Sequence, residues 1–282
     1  MGDTYDGMRP DEAIRRPPNG LDAKLGMNIL DRIVARKRQE VAQRRRGRPM
    51  DAVCGGGPPR DFAGALRGPG VAAICEIKRR SPSRGTLRAG LDPAAVARDY
   101  AQHGAAAISV LTDAEFFGGC DEDLRRVRDA VAVPVLRKDF TIDEYQIHEA
   151  RRLGADAILL IARILSDEEL SRMLGVAAEL GLAALVETHD EVEVGRAVAQ
   201  GARIIGINSR DLDTFEVDLE RALRLRSRIP GDCIAVAESG IHTPEDVLRV
   251  SAAGFDAMLV GEALMRAEDP GRRLAELLGA LS

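Results

Sequence analysis

Charged and amide side chains that could carry acid–base chemistry stand at the carboxyl ends of short apolar runs in this sequence. In chain order they are Glu76, Lys78, Lys138, Glu187, Asn208 and Glu238. Side chains alternate along a strand, so Glu76 and Lys78 are expected to share one face. For any single residue of this set, a salt-bridged strand end is an equally good interpretation. Several carboxylates and two lysines at the same end of one fold favour a cavity in which protons are moved.

Two glycine motifs after the last two apolar runs are typical of phosphate binding. AESGI contains Gly240 and LVGEAL contains Gly261, and glycine leaves neighbouring backbone N–H groups accessible. A short helix predicted to begin at Glu262 would direct the positive end of its dipole at the same place. Either glycine alone would be interpreted as a turn residue. The two together favour a phosphorylated substrate.

The segment after the first apolar run, KRRSPSRG, combines basic and hydroxyl side chains. It places Ser81, Ser83 and Arg84 beside the same predicted cavity. A solvated basic loop is the simple interpretation. The length of the segment and its hydroxyl groups also suit a mobile flap that closes over a phosphate or a carboxylate.

Eight short runs rich in Val, Ile and Ala must position these residues. The runs cover 71–78, 105–112, 133–140, 156–162, 182–187, 203–208, 233–239 and 256–262. Between them lie amphipathic segments such as TPEDVLRVSAAG, several of which open with Asp, Ser or Thr and close with Gly, as helices do. Eight strands alternating with helices predict an α/β protein, a (β/α)8 TIM barrel with its active site at the carboxyl ends of the strands. An open doubly wound sheet could hold the same elements, but no glycine-rich dinucleotide motif follows the first run.

The region before the first strand divides into a tail and a helical extension. Residues 1–26 are polar, rich in Pro and Gly and without periodicity, which predicts a flexible tail. Helical spacing of apolar residues predicts a helix over 27–46, and a second short helix is predicted around Asp61 to Leu66. We therefore assign 27–282 to the barrel, with 27–70 as its N-terminal helical extension.

Composition argues against several classes of function. The chain has 282 residues, of which 45% are hydrophobic and 30% charged, enough for one barrel-sized core. A net charge of −5 and an aromatic content of 3% argue against nucleic-acid binding. No apolar stretch reaches membrane-spanning length, the N-terminus lacks the apolar core of a signal peptide, and the four dispersed cysteines form no CxxC pair. We expect a cytoplasmic monomer that needs neither a membrane nor disulfides.

Seven motifs resemble the strand-end motifs of the indole-3-glycerol phosphate synthase family. In order they are EIKRRSPSRG, SVLTDAEFFGG, PVLRKDF, ALVETHD, IGINSRDL, AESGI and LVGEALMR. EIKxxSPS and INxRDL are specific signals, whereas the glycine motifs occur in other phosphate-binding barrels. The resemblance covers about residues 27 to 280. It implies that 1-(2-carboxyphenylamino)-1-deoxyribulose 5-phosphate is closed to the indole with loss of carbon dioxide and water, a carboxy-lyase step of tryptophan biosynthesis that uses no metal or organic cofactor.

The resemblance also implies roles for the strand-end residues. Lys138 would be the general acid that protonates the ketone oxygen of the substrate, and Glu187 the base in the later loss of the hydroxyl group. Lys78 would hold the substrate carboxylate, and which lysine supplies the proton for dehydration stays open. Glu76 would orient the lysines and balance their charge. The N-terminal extension would lie over the barrel mouth.

Substrate-binding residues follow from the same resemblance. Polar groups of the substrate would contact Asn208, Arg210 and Glu238, and Glu238 would help to stabilise a cationic intermediate. The phosphate would be bound by Ser81, Ser239, Gly240, Gly261 and the backbone amide of Glu262. An apolar wall around the anthranilate ring would be formed by Phe117, Phe140, Leu136, Leu159, Leu212 and Val260. For Leu136 and Leu159, plain barrel core is nearly as good an interpretation.

The family's role for the residue at position 262 cannot be assigned directly to Glu262, because some relatives have serine at this position. A carboxylate should repel phosphate, so we expect its side chain to point away from the phosphate while its backbone N–H contributes. No role is assigned to the histidines, which lie on predicted helices or at their starts. They are His103, His148, His189 and His242.

Two other functions remain to be weighed. Another phosphate-binding barrel, such as phosphoribosylanthranilate isomerase, would shuffle protons with an acid–base pair and would not need two strand-end lysines. A non-catalytic barrel that senses a phosphorylated metabolite would keep Gly240 and Gly261 but could dispense with Lys138 and Glu187. EIKRRSPS disfavours the isomerase, and the presence of Lys138 and Glu187 favours an enzyme over a sensor.

Overall fold

The computed structural model describes most of the chain. The described residues are 28–50, 57–82, 84–211 and 214–281. The predictions made for the tail (1–26), for Ser83 and for Leu212 lie outside these ranges. Within them, no helix combines the length and the apolar character that crossing a membrane requires.

Ten strands form in the described ranges. They are β1 (Ala72–Ile77), β2 (Arg80–Ser81), β3 (Gly85–Thr86), β4 (Ala107–Leu111), β5 (Val135–Lys138), β6 (Ala157–Ile161), β7 (Ala183–Thr188), β8 (Ile204–Asn208), β9 (Ile234–Glu238) and β10 (Ala257–Val260). β2 and β3 form a short antiparallel hairpin in the segment after β1. The other eight are parallel and pair in the order β1-β10-β9-β8-β7-β6-β5-β4, with β4 paired to β1. The predicted (β/α)8 barrel is confirmed.

Twelve α-helices accompany these strands in the same ranges. They are α1 (Ile29–Gly47), α2 (Phe62–Ala65), α3 (Pro93–Gln102), α4 (Ala114–Phe117), α5 (Asp121–Ala130), α6 (Glu144–Leu153), α7 (Asp167–Glu179), α8 (Glu191–Ala199), α9 (Leu219–Leu225), α10 (Pro244–Ala252), α11 (Glu262–Met265) and α12 (Pro270–Leu278). The two helices predicted before the first strand are α1 and α2. Each barrel strand is followed by at least one helix, as the alternating sequence pattern predicts.

Capping residues fix where several of these helices begin. Ser166 and Glu169 form a capping box at the start of α7. Thr243 and Asp246 form another at α10, where Pro244 occupies the first helical turn. These side chains satisfy backbone N–H groups that have no partner inside the helix. Fixed helix starts limit the loops that leave the carboxyl ends of the strands, and these loops surround the barrel mouth.

Alternation along the strands divides the side chains into an inner and an outer layer. On β1, Ile74 lies in the cluster inside the barrel and Cys75 in the cluster between strands and helices. On β7, Leu185 lies inside. Two residues further along, the same faces end in carboxylates, Glu76 on β1 and Glu187 on β7. Strand geometry alone therefore carries charged side chains to the barrel mouth.

Helix α1 is attached to the barrel by apolar and by charged contacts. Leu30 and Ile33 belong to the inner cluster that also contains Phe140. Lys37 is buried, and its Nζ lies 2.9 Å from a carboxylate oxygen of Asp113 and 2.9 Å from one of Asp139. Asp113 follows β4 and Asp139 follows β5. The helix is thus tied to the ends of two adjacent strands.

Candidate active site

Five charged side chains from four strands and an adjoining loop meet in one cavity at the carboxyl end of the barrel. Lys138 Nζ lies 3.4 Å from Glu187 Oε2 and 3.9 Å from an oxygen of each of Glu76 and Glu238. Lys78 Nζ lies 2.5 Å from Glu76 Oε1. The three carboxylates are buried, whereas the side chains of Lys138 and Lys78 remain 15% and 18% exposed. The ammonium groups therefore stand between the carboxylates and can still reach a ligand.

The contacts between these groups set their protonation states. Burial alone would lower the pKa of Lys138, but Glu187, Glu76 and Glu238 outweigh it and raise the pKa above its ordinary value. Burial would raise the pKa of Glu187, but Lys138 holds it well below its usual range. Burial of Glu76 is outweighed in the same way by Lys78 and Lys138, so its pKa is also lowered. Lys138, Glu187 and Glu76 are therefore charged at neutral pH.

Glu238 differs from the other two carboxylates. Its side chain is 1% exposed, and Lys138 Nζ is 3.9 Å away. Burial raises its pKa well above the ordinary value, and the negative charge of Glu187 raises it further. Of the three carboxylates, Glu238 therefore keeps its proton to the highest pH. When Glu238 holds a proton, the charges of Glu76 and Glu187 balance those of Lys78 and Lys138.

A second group of charges surrounds Glu262 at the edge of the cavity. Its carboxylate lies 3.2 Å from Arg84, 3.2 Å from Arg210 and 3.4 Å from Arg266. Asn208 Oδ1 accepts the backbone N–H of Arg210 at 3.0 Å and thereby fixes the start of this loop. The sequence predicted that the Glu262 side chain would point away from a phosphate. In the structure Glu262 lines the cavity, and three guanidinium groups offset its negative charge.

The glycine motifs meet at the same side of the cavity. Ser239 and Gly240 both have left-handed backbone, with φ of 63° and 78°, so the chain turns sharply after β9. Gly261 lies against β1, where a β-carbon would stand 2.5 Å from Glu76 Oε1. Both glycines line the cavity together with Ser81 and Ser239. The close approach at Gly261 explains why this position requires glycine.

Aromatic and aliphatic side chains form an apolar part of the cavity wall. The rings of Phe117 and Phe140 are tilted by 35° with their centroids 5.9 Å apart. Leu159 and Val260 also line the cavity. Leu136 is fully buried in the inner cluster and is not among the residues that line the cavity. It stands two residues before Lys138 on β5, deeper in the barrel, and its contact with the anthranilate ring stays a prediction.

A protein family and several of its members resemble this chain over most of its length. A model of the family described as indole-3-glycerol phosphate synthase matches residues 30–277. The chain belongs to this family. The indole-3-glycerol phosphate synthase of Albidiferax ferrireducens is 50% identical over 258 residues, which are 89% of this chain and 98% of that protein. The indole-3-glycerol phosphate synthase of Laribacter hongkongensis is 48% identical over 259 residues, with the same two coverages.

A more distant similarity links this member of the indole-3-glycerol phosphate synthase family to a solved structure. The thiamine phosphate pyrophosphorylase from Pyrococcus furiosus superposes with a TM-score of 0.57 at 18% identity. The match covers 77% of this chain and 96% of the other. At this level of identity the similarity concerns the fold alone.

Some cavity residues of this indole-3-glycerol phosphate synthase family member were missed by sequence reasoning. Leu30 and Ile33 of α1 line the cavity, as do Phe215 after β8 and His242 after β9. Leu30 and Ile33 take part in the helical spacing that predicts α1, but this spacing does not show which surface the helix covers. The local sequence around Phe215 and His242 does not predict that these residues line the cavity. His189 was also missed, although it stands two residues after Glu187.

The cavity offers acid–base groups and anion-binding groups. In the part of the chain that the structure describes, no cluster of three or more His, Cys, Asp or Glu side chains is arranged to hold a metal ion. The ammonium group of Lys138 could protonate an oxygen, and the ionised Glu187 could accept a proton. Arg210 and the backbone after β9 and β10 could bind an anion.

Proposed function

We propose that the protein is an indole-3-glycerol phosphate synthase, which acts in tryptophan biosynthesis. It closes the ring of 1-(2-carboxyphenylamino)-1-deoxyribulose 5-phosphate and releases carbon dioxide and water. Membership of the family supports this function. The single observation that carries the proposal is the position of Lys138, an ammonium group surrounded by Glu76, Glu187 and Glu238 at the mouth of the barrel.

Ring closure begins with general acid catalysis by Lys138. The raised pKa of Lys138 keeps the proton on its nitrogen at neutral pH. As the aromatic carbon that bears the carboxylate attacks the ketone carbon, negative charge grows on the ketone oxygen, and Lys138 protonates it. Lys78 holds the substrate carboxylate, and Glu76 orients both lysines and balances their charge. Loss of carbon dioxide then restores the aromatic ring.

Dehydration needs an acid for the departing hydroxyl group and a base for the adjacent proton. Glu187 is ionised at neutral pH and takes the role of the base. Lys138 and Lys78 both line the cavity, so the ammonium group of either residue could supply the proton to the departing hydroxyl group. Glu238 helps to stabilise the cationic intermediate that forms when the hydroxyl group leaves, because a carboxyl group beside a positive charge is favoured in its negative form.

The remaining cavity residues bind the substrate. Asn208 and Arg210 contact its polar groups. The phosphate is held by Ser81, Ser239, Gly240, Gly261 and the backbone amide of Glu262. The anthranilate ring packs against Phe117, Phe140, Leu159 and Val260. Ser83 and Leu212 lie outside the described residues, and their contacts with the substrate stay predictions from the sequence. This set of contacts suits a small phosphorylated molecule, and the enzyme works in the cytoplasm with no nucleic-acid or membrane partner.

Formation of indole-3-glycerol phosphate, followed by fluorescence, tests the proposal with the parent protein, Lys138→Ala and Lys138→Arg. We expect turnover by the parent and a loss in kcat of about 100-fold or more in both variants, because a positioned acid contributes about 10²- to 10⁴-fold. Arginine is the matched control, since it keeps the positive charge but is a far weaker acid. Unchanged turnover in Lys138→Ala would move the acid role to Lys78. A folded parent that gives no product would contradict the synthase function and favour the isomerase or the sensor.

A further inference from the structure

His189 lies directly behind Glu187 and takes no part in the chemistry described so far. Its side chain is 2% exposed. His189 Nε2 lies 3.4 Å from Glu187 Oε1, while Glu187 Oε2 faces Lys138 Nζ at 3.4 Å. The two oxygens of Glu187 therefore face two different nitrogen groups, one inside the cavity and one behind it.

The other ring nitrogen of His189 is fixed by Glu193 at the start of α8. Nδ1 lies 3.0 Å from Glu193 Oε2, and the same oxygen accepts the backbone N–H of His189 at 2.8 Å. Arg163 Nε donates to the second oxygen of Glu193 at 2.8 Å. Asp190, which caps α8, accepts the backbone N–H of Glu193. Glu193 is held on several sides, so it fixes the plane of the imidazole ring.

Carboxylates on both sides make His189 a cation. Glu187 of β7 faces Nε2 and Glu193 of α8 faces Nδ1, and both nitrogens donate only when the ring is an imidazolium. Beyond these two carboxylates lie Lys138 of β5 and Arg163, each paired with the carboxylate next to it. Burial would lower the pKa of His189, but the contacts with Glu187 and Glu193 raise it to about 9. The ring is therefore charged at neutral pH.

We propose that His189 is a positioning residue, an imidazolium that holds Oε1 of Glu187 and leaves Oε2 as the oxygen that takes the proton in the cavity. The inference rests on the proposed role of Glu187 as the base. The 3.4 Å distance from Nε2 to Glu187 Oε1 is long for a hydrogen bond, and contacts of this kind in an active site shorten when substrate binds.

The positive charge of His189 also keeps Glu187 ionised. Lys138 and His189 together favour the carboxylate form of Glu187. Without His189 the pKa of Glu187 rises towards that of its neighbour Glu238, and the base becomes protonated at a higher pH. The expected signature is therefore a displacement of the acidic limb of the kcat–pH profile towards higher pH.

Steady-state kinetics between about pH 5 and pH 9 test this signature. The variants are His189→Leu, which removes both donors, and His189→Gln, which keeps an uncharged donor. We expect His189→Leu to lower kcat by about 10- to 100-fold with KM within about twofold, and His189→Gln to recover part of the loss. The acidic limb of the kcat–pH profile should move to higher pH in both variants. His103→Gln is the control, because His103 pairs with Asp99 on α3 and lies outside the cavity lining. An unchanged kcat and acidic limb in His189→Leu would overturn the proposal.

Nitrogen-15 NMR of the parent protein gives a test that needs no folded His189 variant. The chain has four histidines, so the His189 ring can be assigned by elimination from variants of the other three. We expect both ring nitrogens of His189 to be protonated at about pH 7.5 and the ring to titrate well above the ordinary histidine range. A neutral tautomer at this pH would overturn the proposal.

Glu187→Gln separates failure of this inference from failure of the proposed function. If the parent has no synthase activity, or if Glu187→Gln keeps full kcat, the proposed function or the base assignment fails, and His189 loses its kinetic role with it. If Glu187→Gln lowers kcat, the double variant Glu187→Gln, His189→Gln tests whether His189 acts through Glu187. We expect the double variant to have the same kcat as Glu187→Gln alone, because His189 acts through Glu187. If His189→Gln lowers kcat by the same factor in the parent and in Glu187→Gln, His189 acts independently of Glu187. That result would overturn the positioning role.

Discussion

At the scale of single residues, the three buried glutamates of the cavity differ in the direction in which their pKa values are shifted. Glu76 and Glu187 each lie within 3.5 Å of a lysine ammonium group, whereas Glu238 lies 3.9 Å from one. Glu238 also has no hydrogen bond to its oxygens from any described residue. An ionised carboxylate in that environment is costly, because burial removes water and Lys138 at 3.9 Å replaces it only in part. The raised pKa of Glu238 is therefore a consequence of its position at the end of β9.

Stability as a function of pH distinguishes Glu238 from Glu76. A raised pKa means that the folded state holds a proton which the unfolded chain releases above about pH 4.5, so ionisation of Glu238 costs stability as pH rises. We expect Glu238→Gln, which copies the protonated form, to unfold at the same or a higher temperature than the parent, with a difference that grows from about pH 5 to pH 8.

Glu76→Gln is the matched comparison for that measurement. The lowered pKa of Glu76 means that its contribution is present above about pH 4.5 and is lost on acidification. Loss of the charged contact with Lys78 should cost about 1.5–3 kcal/mol at neutral pH. Thermal unfolding monitored by circular dichroism checks both variants. Destabilisation of Glu238→Gln as large as that of Glu76→Gln would contradict a raised pKa of Glu238.

At the scale of secondary-structure elements, α1 is attached to the barrel by a buried ion cluster rather than by apolar contacts alone. Lys37 is 3% exposed and lies between Asp113 and Asp139, which are buried as well. Burial would raise the pKa of Asp139, but Lys37 and Arg137 outweigh it and lower the pKa to about 2. This contribution to stability is present above the ordinary value of 3.8 and is lost as pH falls towards about 2. Asp139 directly follows Lys138, so α1 also supports the strand end that carries the proposed acid.

Lys37→Met should destabilise the protein far more than Arg36→Met, its neighbour on the same helix. Removal of Lys37 leaves the buried negative charges of Asp113 and Asp139 without their shared positive partner. Breaking a buried ion pair in this way lowers the free energy of unfolding by about 3–5 kcal/mol. Arg36 is 46% exposed and pairs with the half-exposed Glu115, so its loss should cost less than about 1 kcal/mol. Urea unfolding gives both free energies. Similar losses in the two variants would mean that the apolar contacts of Leu30 and Ile33, rather than the ion cluster, hold α1 in place.

The elements could be predicted from the sequence more completely than the contacts between them. The eight strands and the charged residues at their ends follow from apolar runs and from alternation, which are local properties. Depth along the barrel axis depends on strand stagger, so the sequence could not distinguish Leu136 from Leu159. The partners of His189 and Lys37 come from residues of other elements or from across a helix turn, and a single sequence does not reveal such pairs.

At the scale of the whole molecule, closure of the barrel leaves no free edge in its main sheet. β1 pairs with both β4 and β10, so every barrel strand has two neighbours. Unpaired edges are a common route to association through sheets. Among the described residues the exposed large apolar side chains are Val192, Val217 and Leu248, which lie on α8, in the loop after β8 and on α10. Scattered single residues of this kind are normal on a monomer surface.

Light scattering coupled to size-exclusion chromatography should therefore give the mass of one chain. A stable homodimer buries about 1,200–2,000 Å² in total, with an apolar centre, and the described surface provides no continuous apolar patch of that size. The described cavity is also lined by the strands, loops and α1 of a single chain, so we expect catalysis to need no second copy. We expect specific activity to be independent of protein concentration for the same reason. A dimer mass, or activity that falls on dilution, would show that a polar face or a residue outside the described ranges joins two copies.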